Sequence, residues 1–163
     1  MKNLIFVDLD ETLIHTLDYN QYASEYPEAI KIILLEDPYT YFALLRHGAH
    51  SLLDGLREAG EVYMLTAANR DYALAMNAEF NLGFPEASIF TRETVNNGDD
   101  ISHLGPGEVF LIDNLSRREN NSKISFLRKN LKVPQYIQVT TFNGEQDQHF
   151  TDREINHILN KVG

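Results

Sequence analysis

The chain has 163 residues, 43% of them apolar, which is enough for one domain with a real core and makes disorder an unlikely default. Fourteen Lys and Arg stand against twenty-four Asp and Glu, and the net charge of -10 opposes tight, nonspecific nucleic-acid binding. The absence of cysteine excludes disulfides, thiolate catalysis and Cys-based zinc sites.

The chain enters an apolar run almost at once, leaving no room for a signal-peptide core, and no apolar run reaches membrane-spanning length. A soluble, intracellular, cytoplasmic protein with no membrane partner is therefore expected. The opening run, residues 4–7, reads as a buried strand, and it ends in Asp8-Leu9-Asp10-Glu11-Thr12-Leu13. Residues 15–28 are polar, tyrosine-rich and without clear periodicity, so they read as a surface excursion. Two β-rich runs, 30–35 and 39–45, flank Glu36-Asp37-Pro38 and predict a hairpin, either an added sheet edge or a flap beside the site.

Leu52, Leu53, Leu56 and Ala59 recur at helical spacing over 49–59, and Gly60 stops the run. Residues 61–65 predict a second buried strand, which ends in Thr66-Ala67-Ala68-Asn69. A helix over 70–80 follows, then a short strand over 88–91 leading to Arg92. Residues 93–107 are polar and rich in glycine and asparagine, and read mostly as connection. A third strand over 108–112 ends in Asp113-Asn114. Beyond it lie a helix over 122–130, a strand over 136–140, a polar loop over 142–150 and a helix over 152–162 capped by Thr151. Strands separated by helices predict a Rossmann-like, three-layer α/β fold around a mainly parallel sheet. Residues 1–163 form one domain in this reading, with 15–45 as a hairpin-containing insertion.

In such sheets the carboxyl edge of the strands is where ligands bind, and all three polar deliveries fall there. Phosphate esters repel an anionic nucleophile, so an aspartate can attack only where a metal and nearby donors cancel charge. Asp8 reads as that nucleophile, and Asp10 as an acid/base that protonates the leaving oxygen and later deprotonates water. Asp8, Asp113 and Asn114 offer the hard oxygens that Mg2+ prefers. Thr12, Thr66 and backbone amides such as that of Ala67 are candidates to hold the phosphoryl group. The histidines have no metal-ligand spacing.

The run from Asp8 to Leu13 resembles the first motif of haloacid dehalogenase-superfamily phosphatases, Thr66 the second and Asp113-Asn114 the fourth. Finer wording is similar to the branch that acts on the C-terminal domain of RNA polymerase II. Arg46-His47-Gly48 resembles its Arg-Pro-Gly step, and Thr91-Arg92-Glu93 its Phe-Arg-Glu step. The resemblance implies a fold without a large cap and a phosphoaspartate at Asp8. It also implies Mg2+ held by the Asp8 side chain, the Asp10 carbonyl and Asp113-Asn114. Its third motif is a lysine that neutralises nucleophile and phosphate, where this chain has Asp99. Between Asp71 and Ser116 the only Lys or Arg is Arg92, which becomes the candidate cation by elimination.

The expected activity is Mg2+-dependent phosphomonoester hydrolysis through an aspartyl phosphate. The phosphorylated substrate is a phosphoserine or phosphothreonine peptide, or alternatively a nucleotide or a 3'- or 5'-phosphorylated oligonucleotide end. A reading of a different class, motivated by Asp99, is a catalytically weak phosphate- or partner-binding module.

Overall fold

A computed structural model describes residues 2–34 and 40–163. Five parallel strands form the central sheet: β1 (Asn3–Val7), β5 (Glu61–Leu65), β6 (Ile89–Phe90), β7 (Glu108–Asp113) and β8 (Gln135–Gln138), in the order β6-β5-β1-β7-β8. The alternation of β1 sends Ile5 and Val7 to one face and Leu4 and Phe6 to the other, and each pair enters a separate apolar core. Helices α1 (Ala49–Ala59), α2 (Arg70–Glu79) and α5 (Asp152–Val162) cover the first core; α3 (Arg92–Asn96) and α4 (Asn121–Asn130) cover the second. This is the three-layer α/β arrangement expected from the alternating pattern.

The helix stripes explain the packing. Leu52, Leu53 and Leu56 of α1 and Ile155, Ile158 and Val162 of α5 are all buried, each worth about 1.5–3 kcal/mol against full exposure. Thr151 caps α5 by accepting from Glu154 N, and Glu154 returns the bond, which ends the preceding loop and starts the helix. No described helix is long and apolar enough to cross a membrane.

The insertion differs from its sequence reading in two ways. Ile14–Thr16, whose last two residues open the stretch read as a polar excursion, is a strand, β2. It pairs antiparallel with β4 (Thr40–Leu45), which also pairs with β3 (Ile30–Ile33). These strands form a sheet of their own, β2-β4-β3, and add no edge to the central one. Three residues carry too little periodicity to announce a strand, and β2 exists because β4 supplies its hydrogen bonds. The turn Glu36-Asp37-Pro38 and Tyr39 lie outside the described residues. Likewise α3 and a short 3-10 turn at Ser102–Leu104 occupy part of the stretch read as connection.

Candidate active site

β1, between β5 and β7, hands its last backbone bond to Asp8, whose N–H donates to Ile112 O. The chain then turns tightly: Leu9 O accepts from the amides of Thr12, Leu13 and Ile14, and Glu11 takes the left-handed conformation, φ 62. A non-glycine residue there stores strain, which surrounding structure must hold. Phe142 N, donating to Glu11 O, supplies part of that hold.

Arg46 supplies more. Fully buried, it donates from Nε to Gln148 O and from Nη1 to Thr12 O and Thr140 O, with its guanidinium 3.8 Å from the Phe150 ring centroid. Gly48, at φ +91, lets the chain pass Phe150, since a Cβ there would fall 2.8 Å from Phe150 O. The Arg46-His47-Gly48 step therefore ties the turn after β1 to the loop before α5.

The structure brings Asp8, Asp113, Asn114 and Thr12 together. Thr12 Oγ1 accepts from Asn114 N at 3.1 Å and donates to Asp8 Oδ2 at 3.1 Å. Asp113, fully buried, accepts from Leu115 N through Oδ1 and from Asn120 Nδ2 through Oδ2. Thr12, expected to contact phosphate, has no exposed surface and instead fastens Asp8 to the β7 terminus.

The cation facing these carboxylates is Lys123, not Arg92. Lys123 Nζ lies 2.7 Å from Asp8 Oδ1 and 2.8 Å from Asp113 Oδ2, and the side chain is buried. Arg92 is exposed at the start of α3, where its Nε donates to Ala67 O. Lys123 lies on α4, beyond the stretch 71–116 in which Arg92 is the only Lys or Arg. A signal did exist: Lys123, Phe126, Leu127 and Asn130 recur at i, i+3, i+4 and i+7, so the lysine stands on the apolar stripe, where a charge must find partners. Asp99 is exposed just past α3, where its N–H donates to Thr94 O.

Thr66, buried at the end of β5, accepts from Ala68 N through Oγ1, which leaves its own proton free to donate. Ala67 N has no partner among the described residues. The register of β1 with β5, Val7 opposite Met64, puts Thr66 one step beyond the level of Asp8.

Electrostatics follow from burial. Desolvation pushes the Asp8 carboxyl above the usual carboxylate range, opposed by the Lys123 ammonium and aided by Asp113. Burial works against the charge of Lys123, yet the carboxylates of Asp8 and Asp113 outweigh it and raise its pKa. Asp10 is pushed up to about 6, chiefly by burial, while a hydrogen bond from the Tyr72 hydroxyl pulls the other way.

The donor set fits Mg2+. Asp8 and Asp113, both buried, face a single ammonium, and the Asp10 carboxyl lies two residues from Asp8, so acidic groups outnumber cations there. One terminal atom of the Asn114 amide lies 3.1 Å from Asp8 Oδ2, 3.2 Å from Asp113 Oδ1 and 3.3 Å from the Asp10 carbonyl oxygen. That atom is best read as the amide nitrogen, which donates to these oxygens and gathers the hard donors of Asp8, Asp113 and the Asp10 carbonyl around the Asn114 amide. Among the described residues no three His, Cys, Asp or Glu side chains form a metal cluster; here backbone and amide groups complete the set. A groove of about 850 Å³ between β8 and α5 contains none of these residues.

Comparison with known proteins gives a family and a fold. A family model described as NLI interacting factor-like phosphatase matches residues 3–161. Two solved structures resemble this one. One is the fission yeast RNA polymerase II CTD phosphatase Fcp1, as a point variant bound to beryllium fluoride: 17% identity, TM-score 0.56, covering 97% of this chain and 49% of that chain. The other is described as Fcp1, an essential RNA polymerase II CTD phosphatase: 18% identity, TM-score 0.57, covering 96% of this chain and 48% of that one. The chain thus spans about half the length of these structures. No curated protein matches.

Proposed function

The chain belongs to the NLI interacting factor-like phosphatase family, and from that premise we propose that it hydrolyses phosphomonoesters through an aspartyl phosphate on Asp8. The observation that carries the reading is the Lys123 ammonium between Asp8 and Asp113, which offsets the charge a carboxylate nucleophile and a phosphate would otherwise share. Asp8 attacks phosphorus, the bond from phosphorus to the leaving oxygen breaks, and Asp10 gives that oxygen its proton. Water then attacks phosphorus, Asp10 takes its proton, the bond to Asp8 breaks, and inorganic phosphate leaves.

Thr66 Oγ1 and Ala67 N–H donate to the non-bridging oxygens, and Arg92, free of the lysine's task, reaches groups that flank the phosphate from the rim. Asp8, the Asp10 carbonyl, Asp113 and Asn114 would hold Mg2+, whose chemistry is charge neutralisation and orientation of the phosphate. The substrate proposed is a phosphoserine or phosphothreonine peptide; the similar structures are described as phosphatases of the RNA polymerase II CTD, which favours a protein substrate over a nucleotide. Lys123 supplies the cation that Asp99 cannot, which favours hydrolysis over a binding-only role.

The test is Asp8→Asn. It keeps the side chain's shape but removes the nucleophile, so turnover of an aryl phosphate in Mg2+ is expected to vanish while the circular dichroism spectrum stays unchanged. Wild-type turnover by that variant would overturn the mechanism. A panel of phosphopeptides, nucleotides and 3'- or 5'-phosphorylated oligonucleotides ranks the substrate classes by kcat/KM, and a nucleotide preference would overturn the peptide assignment.

A further inference from the structure

Asp10 does not stand alone at the mouth of the site. Tyr72, buried in α2, donates from its hydroxyl to Asp10 Oδ1 at 2.6 Å. That hydroxyl also lies 2.5 Å from Thr16 Oγ1, and because its proton is committed to Asp10, Thr16 is the donor. The three groups form a chain, Thr16 to Tyr72 to Asp10, in which each hydroxyl proton has one direction.

Both ends of Tyr72 are fixed. Asn69, the N-cap of α2, accepts Tyr72 N at 2.9 Å and holds its backbone. Its ring meets Tyr41 of β4 edge-on, with centroids 5.7 Å apart and planes at 75°. Thr16 ends β2, paired with Ala43 of the same β4. Two strands of the insertion therefore grip the tyrosine that grips Asp10. The consequence for Asp10 is orientation: Oδ1 receives a proton from Tyr72, so the carboxyl proton can reside only on Oδ2, which has no hydrogen bond among the described residues.

We propose that Tyr72, held by Thr16, is a positioning residue that turns Asp10 Oδ2 toward the leaving oxygen, so that the insertion braces the proton donor. This rests on the reading of Asp10 as acid/base. Neither hydroxyl touches the reacting atoms, and neither gives up its proton during turnover.

The experiment is a leaving-group series, from p-nitrophenyl phosphate to an alkyl phosphate, read as kcat/KM, which reports only steps through departure of the leaving group. A nitrophenolate leaves without protonation, whereas an alkoxide requires it. Tyr72→Phe is expected to lower kcat/KM by about tenfold or more for the alkyl ester and by less than about twofold for the nitrophenyl ester. Thr16→Val moves the series the same way by less, and Thr16→Ser restores the wild-type pattern. A uniform loss across the series, or none, would overturn the proposal, because a structural role has no preference among leaving groups.

Asp10→Asn runs beside these variants. If it steepens the series while Tyr72→Phe leaves it flat, the positioning proposal fails and Asp10 keeps its role. If Asp10→Asn leaves the series flat, the acid/base reading itself fails and takes the proposal with it. Should Tyr72→Phe not fold, the Thr16→Val and Thr16→Ser pair decides: equal slopes overturn the proposal, and a steeper slope for valine alone supports it.

Discussion

Lys123 and Asp8 lie 115 residues apart in sequence and meet at 2.7 Å, with the lysine reaching Asp113 in the same grip. That ammonium is the only Lys or Arg in ion-pair contact with the proposed nucleophile among the described residues, whereas Arg92 is exposed and donates to Ala67 O.

The two cations can be separated by experiment. Lys123→Met is expected to lower kcat by about 10²–10³ even for a small aryl phosphate, since a preorganised charge is lost where the phosphoryl group is transferred. Arg92→Ala is expected to raise KM for a phosphopeptide and to leave kcat for the aryl ester within about threefold, as an exposed arginine contacting flanking groups would. Steady-state kinetics on both substrates decide it. A larger kcat loss from Arg92→Ala than from Lys123→Met would return the catalytic cation to Arg92.

Arg46 is a stability prediction. Its guanidinium satisfies carbonyls on Thr12, Thr140 and Gln148 and stacks on Phe150, and no carboxylate bonds to it among the described residues. Arg46→Met fills the space but leaves those carbonyls without their donor, at a cost of about 3 kcal/mol or more. Urea denaturation followed by circular dichroism reads the change. A midpoint equal to wild type would show that the three carbonyls find other donors.

His15 supplies a pH prediction. Its Nδ1 contacts the Glu11 carboxylate, and its Nε2 donates to Gln21 Oε1 at 2.7 Å, so both ring nitrogens face acceptors. Burial opposes the charged ring, but these bonds outweigh it and raise the pKa above 6.5. A raised pKa means that the imidazolium stabilises the fold fully below pH 6.5 and that this contribution is lost as pH rises through the folded value. The stability difference between wild type and Glu11→Gln is therefore expected to be largest near pH 6 and to shrink toward pH 9. Urea midpoints at a series of pH values check it; a difference that grows with pH would contradict the assignment.

Much of this architecture is legible residue by residue. The apolar runs ending at Asp8, Thr66 and Asp113 are short because each crosses one buried sheet, and their polar ends fall together because parallel strands share a carboxyl edge. The stripes of α1 and α5 mark helices for the same local reason: a 3.6-residue period faces one core. β2 escaped notice because its three residues are a strand only beside β4, and α3 because its five residues carry a single apolar side chain, Val95, too few to show a helical period.

The sequence by itself determined where the carboxylates and hydroxyls are delivered, since strand ends and helix caps are local properties of the chain. Only the tertiary structure decided what each delivered group faces. The packing of α4 against the sheet brings Lys123 to Asp8, that of α2 brings Tyr72 to Asp10, and burial turns Thr12 inward to hold Asp8. The stripe of α4 shows that Lys123 is buried but not what it meets: contacts across 115 and 62 residues depend on how layers stack rather than on which residues are neighbours.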